Sequence, residues 1–487
     1  METEMVENRN DKHLIYTSIL NELKAQRLIT FPLLVTNFTW FARIAITTAF
    51  LGRLGELSLA GGTLGGTFAN VTGFAVLSGL SVAMEPICGQ AYGAKNFKLL
   101  HKTLVMSIFL LLLASIPISF LWLNVDKILI QLGQQKDLVI VVKRYLLFLL
   151  PDLVIQSILY PLKAYLSTQN QVVPIMLSSV LGLAFHIPVN VVLSKAKGLE
   201  GVSMGVWLSD LLVTLLLAFY AVVAEHGKVE KWKEGGWWEQ GVQDWKRLLK
   251  LCGPCCLTTC LEWWCYEILM LLAARLPNAK QSIGVLAIVV NFDYLLYSVM
   301  ISLATSASIR VSNELGANQA RTAHRSAYIS LGASVLLGFI GGSIMIAARN
   351  SWGSLFSQQK EITRNVKKML LIMATMEVFN FPLVVCGGIV RGTARPNLAM
   401  YANLTGFYLF ALPVAAILAF KFHLGVAGIL IGFVVGCIIC LFLLLIFIWR
   451  IDWDEEASKA RMLTSTEDIN NQEDEKSRNN NAVGQAQ

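Results

Sequence analysis

At 487 residues, with 55% hydrophobic and 15% charged residues and a mean hydropathy of +0.58, the chain is far more apolar than a soluble domain, in which charged residues run at about 25%. The net charge of +8 is read as a membrane-topology signal, which argues against a nucleic-acid-binding surface. The loops carry no His-rich, Ser/His/Asp or metal-ligand constellation, which argues against an enzyme, a cofactor site or a metal site.

Residues 1–27 mix Glu, Asp, Lys and Arg and lack the compact apolar core and small-residue cleavage site of a removable signal peptide. They read as an N-terminal tail, with the first apolar stretch as insertion signal. Twelve stretches follow that approach the roughly 20 residues a helix needs to cross the hydrocarbon. In chain order they lie at 28–50, 57–84, 103–123, 141–161, 172–194 and 201–224, forming an N-lobe over 28–224. A connecting loop at 225–247 places Trp232, Trp237, Trp238 and Trp245 among Lys and Glu, the pattern of an amphipathic strip lying in the membrane interface. The second set lies at 248–273, 282–306, 325–347, 369–389, 398–420 and 424–449, a C-lobe over 248–449. Residues 450–487, with their Asp, Glu, Asn, Gln and Ser, are expected to be a disordered tail. Lys and Arg are more frequent in the loops on the side of the two tails, which predicts that both tails are cytoplasmic. A plasma membrane and an endomembrane (vacuolar, Golgi or endosomal) fit equally.

The chain repeats itself. Gly89-Gln90-Ala91-Tyr92-Gly93-Ala94-Lys95 after the second stretch returns as Ser312-Asn313-Glu314-Leu315-Gly316-Ala317-Asn318 after the eighth, and Pro32, Arg53 and Pro188 return at nearly the same offset as Pro254, Arg275 and Pro413. Six spans, an even number, bring each half back to its starting side, so both halves enter the bilayer in the same orientation. That geometry predicts an all-α integral membrane fold: twelve helices in two six-helix bundles, related by a pseudo-two-fold along the membrane normal, with a cavity between them. Gly428, Gly432 and Gly436, and Gly61/Gly65 with Gly62/Gly66, lie four apart and are expected to let helix backbones approach closely. Cys252-Gly253-Pro254-Cys255 spells a thioredoxin-type motif, but it opens an apolar helix, so its cysteines are read as packing residues.

A charge at mid-bilayer costs several kcal/mol unless it faces a cavity or a partner, which makes each one a functional candidate. The seventh span carries Glu262 and Glu267, the eighth Asp293 and the tenth Glu377. These four acids are the proton-coupling candidates, because desolvation favours the neutral, protonated carboxyl. Glu262 and Glu377 are expected to line a cavity in the second lobe. The first lobe offers Arg43, suited either to an anionic substrate or to neutralising a buried Asp, along with Asp152 and Asp210. Trp263, Trp264 and Tyr266 can stack a planar organic ligand; with Arg43 and Asp152 they complete the substrate-cavity candidates.

Four motifs carry a family resemblance. Glu85-Pro86-Ile87-Cys88-Gly89-Gln90-Ala91-Tyr92-Gly93-Ala94, Cys260-Leu261-Glu262-Trp263-Trp264-Cys265-Tyr266-Glu267, Arg310-Val311-Ser312-Asn313-Glu314-Leu315-Gly316-Ala317 and Arg391-Gly392-Thr393-Ala394-Arg395-Pro396 occur in that order. Over roughly residues 20–455 the chain resembles the plant branch of the multidrug and toxic compound extrusion (MATE) family. The resemblance implies a two-lobed antiporter that exports small organic molecules in exchange for protons, and it matches the family's acids in spans seven and ten to Glu262 and Glu377. Asp293 departs from the pattern, since the family more often has an uncharged polar residue there. Arg43, Asp152 and the Glu-Pro-Ile-Cys form are similar to a subgroup linked to small signalling molecules, which adds hormone-like organic acids to secondary metabolites and xenobiotics as substrates. A monomer in the bilayer is expected. A lipid flippase of the same superfamily is the alternative. The basic Gly-x-x-x-Asp-Arg-type loop of the major-facilitator transporters is replaced here by Gly-Gln-Ala-Tyr-Gly-Ala-Lys.

Overall fold

A backbone buried in lipid must satisfy its own hydrogen bonds, and the apolar stretches accordingly fold as helices. The computed structural model describes residues 2–226, 237 and 241–464, with side chains over 17–223, 237, 241–279 and 281–464. Twelve long helices succeed one another: α1 (Glu2–Arg53), α2 (Glu56–Gly93), α3 (Phe97–Leu123), α4 (Lys136–Thr168), α5 (Val172–Lys197), α6 (Leu199–His226), α7 (Val242–Ala274), α8 (Ala279–Gly316), α9 (Ala320–Phe356), α10 (Lys360–Gly392), α11 (Pro396–Lys421) and α12 (Val426–Trp449). Among the described residues, eleven are long and apolar enough to cross a membrane on length and composition alone; the other is α4, a 33-residue helix with Pro151 and Pro161 inside it.

The duplication is visible in the backbone. Left-handed residues end equivalent helices in both halves: Lys95 (φ 60°) and Asn318 (φ 58°), Asn170 (φ 61°) and Ala394 (φ 58°), Gly198 (φ 60°) and Gly425 (φ 55°). Two bundles of six result, and their contacts obey a pseudo-two-fold: α1 packs on α8, α2 packs on α7, and α2 meets α8. At that crossing the repeat faces itself. Gly93 lies against the Asn313 carbonyl and its counterpart Gly316 against the Gln90 carbonyl, each so close that a Cβ would collide with the backbone opposite. Within the lobes, Gly61 and Gly65 seat α2 on Val141 and Tyr145 of α4, and Gly432 and Gly436 seat α12 on Ala415 and Ala411 of α11.

Most hydrogen bonds and ion pairs between the lobes run from mid-helix toward the face that carries both tails, the Trp264–Val71 bond in the opposite half being an exception. At mid-height Asn37 Nδ2 donates to Ser302 Oγ at 2.8 Å. Toward the tails Arg310 grips Glu22 through Nε and Nη2 at 3.0 and 2.8 Å, and Arg391 pairs with Glu85 at 3.0 Å. The tail face is thereby closed.

Three expectations are corrected. Residues 1–27 do not stand apart from the first span: α1 runs from Glu2, and its charged stretch reaches the second lobe through Glu22. The tail expected to be disordered from 450 is helical over 453–464, because Glu456, Ala457, Ala460 and Thr464 present a buried face to the lobes. This helix touches both lobes: Glu456 pairs with Arg395, and the Thr464 carbonyl accepts from Asn96 Nδ2 at 3.0 Å; residues 465–487 lie outside the described part. The tryptophans of the connecting segment do not lie as a strip in the interface where they are described. Trp237 stacks on His101 with centroids 4.2 Å apart, and with Trp245 it packs on the first-lobe core. Trp232 and Trp238 lie outside the described residues. The α7 helix begins at Val242, ahead of the expected start at 248.

Candidate functional site: a cavity between the lobes and the acids beside it

A cavity of about 390 Å³ lies between the lobes, walled by α1, α2, α4 and α5 on one side and α7, α8, α10 and α11 on the other. Helical spacing explains the wall residues. On α7, Cys255, Thr258, Thr259 and Glu262 fall at i, i+3, i+4 and i+7 and share one face. On α8, Tyr297, Ile301 and Ala304 fall at i, i+4 and i+7, and on α10 Val384, Gly387 and Arg391 fall at i, i+3 and i+7. Glu262 accepts a hydrogen bond from the Tyr297 hydroxyl. Trp263 meets Tyr297 edge to face, with ring centroids 5.9 Å apart and planes at 73°. Toward the tail face the Arg391–Glu85 pair joins the lobes, and both residues line the cavity.

Farther from the tails, by one helical turn on α7 and α8 and two on α10, the same three faces leave the cavity and meet inside the second lobe. From Glu262 the α7 face continues to Tyr266; from Tyr297 the α8 face runs back to Asp293; from Val384 the α10 face runs back to Glu377. There Tyr266 donates to Asp293 Oδ2 at 3.0 Å. The carboxyl of Glu377 lies against that of Asp293, with Asn380 beside them. Both acids are 0% exposed. Neither oxygen of Glu377 has a donor if both groups are ionised. A carboxyl donates only when protonated, so a hydrogen bond between these two carboxyls requires a proton on one of them; the Asn380 amide nitrogen beside them is itself without a partner among the described residues. The expectation that Glu377 lines the cavity together with Glu262 is corrected: Glu377 belongs to this closed pair. Spacing fixes the face a residue occupies but not the height at which that face turns from cavity to core.

The first lobe solves its buried charge differently. Arg43, on the cavity wall, pairs through Nη1 with Asp210 Oδ1 at 2.5 Å. Gln156 Nε2 donates to Asp210 Oδ2 at 3.1 Å and bonds Asp152 as well, leaving Asp152 Oδ1 without a partner. Asp152 is 1% exposed and Asp210 3%; neither lines the cavity. Of the two uses expected for Arg43, neutralising a buried Asp is the one realised here. His186 bonds Thr47 at 3.1 Å and Ser209 at 2.9 Å.

The remaining candidates are dispersed. Trp263 lines the cavity, but Trp264 points away, 36% exposed, and its Nε1 donates across the lobes to the Val71 carbonyl at 3.3 Å. Val71 lies in the π-helical turn Asn70–Phe74 of α2, a geometry that displaces carbonyls from the regular ladder. Tyr266 is buried in the second-lobe core. Glu267 is half-buried on another face of α7, outside both the cavity and the acid pair.

Geometry and comparison converge. A MatE profile matches the chain twice, over residues 32–192 and 254–417, one match per lobe. The chain belongs to the MATE family of membrane transporters. It is 60% identical over 453 residues to Protein DETOXIFICATION 56 of Arabidopsis thaliana, covering 93% of this chain and 92% of that protein. It is 37% identical over 474 residues to Protein DETOXIFICATION 51 of the same plant, covering 96% and 87%. The eukaryotic MATE transporter AtDTX14 superposes with a TM-score of 0.85 at 30% identity, over 92% of this chain and all of that one. The MATE transporter VcmN of Vibrio cholerae shares the fold, with a TM-score of 0.79 at 17% identity over 90% and 99%.

Sequence reasoning missed three wall elements of this MATE transporter: Lys163, Tyr297 and the Glu85–Arg391 pair. Tyr297 carried a signal, since it follows Asp293 by one turn on an apolar helix. Lys163 stands near the end of the fourth stretch, where a lysine reads as an interfacial anchor. The Glu85–Arg391 contact joins two separate motifs and is legible only once the helices are assembled.

Proposed function

We propose that the protein is a proton-coupled antiporter that exports small organic molecules by alternating access of the inter-lobe cavity, with both tails cytoplasmic and the tail-closed arrangement as its outward-facing state. The observation that carries this reading is the buried Asp293–Glu377 pair, two carboxyls side by side with no cation between them, which can hydrogen-bond each other only while one holds a proton. Loss of that proton leaves two carboxylates in contact in a dry interior, where repulsion is strong; α8 and α10 then separate or admit water. Because α8 also forms the lobe contact with α1 and α2, the protonation state biases how the lobes meet. Glu262, one turn away and on the cavity wall, relays that change to the ligand through Tyr297. A difference of one pK unit between the two conformations, about 1.4 kcal/mol, biases the equilibrium tenfold. The cavity is complete within one chain, which supports action as a monomer.

The test is flux in proteoliposomes under an imposed pH gradient. Glu377→Gln and Glu262→Gln are expected to abolish gradient-driven accumulation while the protein remains folded in the membrane. Accumulation at the normal rate and to the normal level in both variants would show that the proton travels elsewhere.

A further inference from the structure

We propose that Lys163 is the head-group subsite of the cavity and that the ligand it takes is an organic acid: a carboxylate on a planar, largely apolar body. This deepens the transport reading by naming the ligand class, and it rests on that reading only for the ligand's movement.

The argument begins with the cations on the cavity wall. Arg43, Lys163 and Arg391 line it. Arg43 is engaged by Asp210 and Arg391 by Glu85. Lys163 has no carboxylate oxygen within 4.0 Å among the described residues. The two acids closest in charge terms sit behind the wall: Asp210 is held by Arg43 and Gln156, and Asp152 bonds Gln156. A ligand entering the cavity therefore meets, on the first-lobe wall, Arg43 already engaged by Asp210, Glu85 already engaged by Arg391, and the ammonium of Lys163, which has no carboxylate bonded to it. An ammonium without a partner in a desolvated site is costly, and an anion that reaches it relieves that cost.

The surroundings define the rest of the ligand. Tyr160 and Lys163 are one turn apart on α4 and both face the cavity, so a phenol and an ammonium are offered on the same wall. Phe41 on the same lobe and Trp263 on the opposite one add aromatic rings to the lining, against which a planar body can pack. On the far wall Glu262 accepts from the neutral Tyr297 hydroxyl and has no cation within 4.0 Å among the described residues, which makes it the anchor of the opposite assignment, tested by the amine probe below. The cavity volume of about 390 Å³ is that of a site for a small molecule.

The experiment is equilibrium binding to the purified full-length protein in lipid nanodiscs, measured by isothermal titration calorimetry. Three probes share one ring system: naphthalene-2-carboxylate, its uncharged carboxamide and the corresponding naphthylmethylamine. The carboxylate is expected to bind at least about tenfold more tightly than the other two, a difference of about 1.4 kcal/mol. Lys163→Gln is expected to erase that preference while leaving carboxamide affinity unchanged, and Lys163→Arg to retain it. Equal binding of acid and amide by the native protein, or a preference that survives in Lys163→Gln, overturns the assignment. Tighter binding of the amine overturns it as well and reassigns the cavity to cations through Glu262. An unchanged melting temperature for Lys163→Gln separates loss of recognition from loss of fold. Carboxylate preference in a protein that shows no pH-gradient-driven flux leaves this assignment standing and sinks the antiport reading alone.

Discussion

The crossing of α2 and α8 allows the sharpest test of how the lobes move. Replacing Gly316 with Ala builds a methyl group into the backbone of Gln90, whose Cα and carbonyl carbon stand 2.7 Å from the ideal Cβ position. Replacing Gly93 with Ala does the same against Asn313 and Ala317, with the Asn313 carbonyl carbon and the Ala317 nitrogen both at 2.9 Å. Helix backbone cannot step aside as the end of a side chain can, so the lobes must part by about 1 Å to reach ordinary van der Waals contact. Overpacking of this kind costs about 1–3 kcal/mol, which corresponds to a roughly 5- to 150-fold shift against the tail-closed state. The collision exists only while the lobes are closed. Each lobe should therefore stay folded, and the exchange of Gly for Ala inside a helix is itself favourable by up to about 1 kcal/mol. Spin labels at positions 98 and 321, read by double electron–electron resonance, should report a longer and broader distance distribution in either variant. Because one opening relieves both collisions, the Gly93→Ala/Gly316→Ala double variant should open little more than each single, a departure from additivity. Distances unchanged from the native protein in both single variants would refute the reasoning, since closure would then not depend on this contact.

Other perturbations follow from the pairs described above. Arg43→Ala leaves Asp210 buried and unpaired, so thermal unfolding in detergent should show a loss of about 3–5 kcal/mol, and Arg43→Met combined with Asp210→Leu should recover most of it; no recovery would mean that Arg43 contributes through another contact. Glu456→Arg should release the helix at 453–464 from Arg395, seen as faster proteolysis after residue 450, while the swap with Arg395→Glu restores protection. The effect on overall stability should stay within about 1 kcal/mol, since Arg395 is partly exposed. Gly432→Val places two methyl groups against Ala415 of α11, a collision within one lobe that opening of the lobes does not relieve, so its expected cost of about 1–3 kcal/mol should appear as a lower melting temperature without any change in the distance between labels at 98 and 321.

Much of the fold was legible because lipid leaves the backbone few choices. Length and apolarity set the twelve helices, and an even number of spans per repeat set the parallel relation of the halves. The motif around Gly93 and Gly316 announced its own role: two glycines recurring at one offset are the residues that a symmetric backbone contact requires. The helix at 453–464 was not legible, because its composition resembles a solvated tail and only the assembled lobes supply the surface that buries Ala457 and Ala460. Trp237 was misread for a related reason. A tryptophan beside charged residues fits a lipid interface, and nothing local announces that His101, more than a hundred residues earlier, offers it a stacking partner.

The site was half legible, and the missing half lies in the comparison of the lobes. Asp152 and Glu377 each stand near the middle of equivalent 33-residue helices and are almost wholly buried, so as sequence positions they look alike. Their neighbours make them different. In the first lobe the cluster around Asp152 contains a fixed cation, Arg43, which stays charged at every physiological pH, and a second acid that cation already serves. In the second lobe Glu377 faces another carboxyl, with no cation in the pair. A guanidinium–carboxylate pair keeps its charge as pH changes, whereas two facing carboxyls with no cation between them form a site that can take up or release a proton. Duplication thus supplied one scaffold twice, and the different partners of the buried acids, an arginine in the first lobe and a second carboxyl in the other, are what single out the second lobe as the proposed seat of coupling and leave Lys163 on the first-lobe wall as the proposed contact for the ligand.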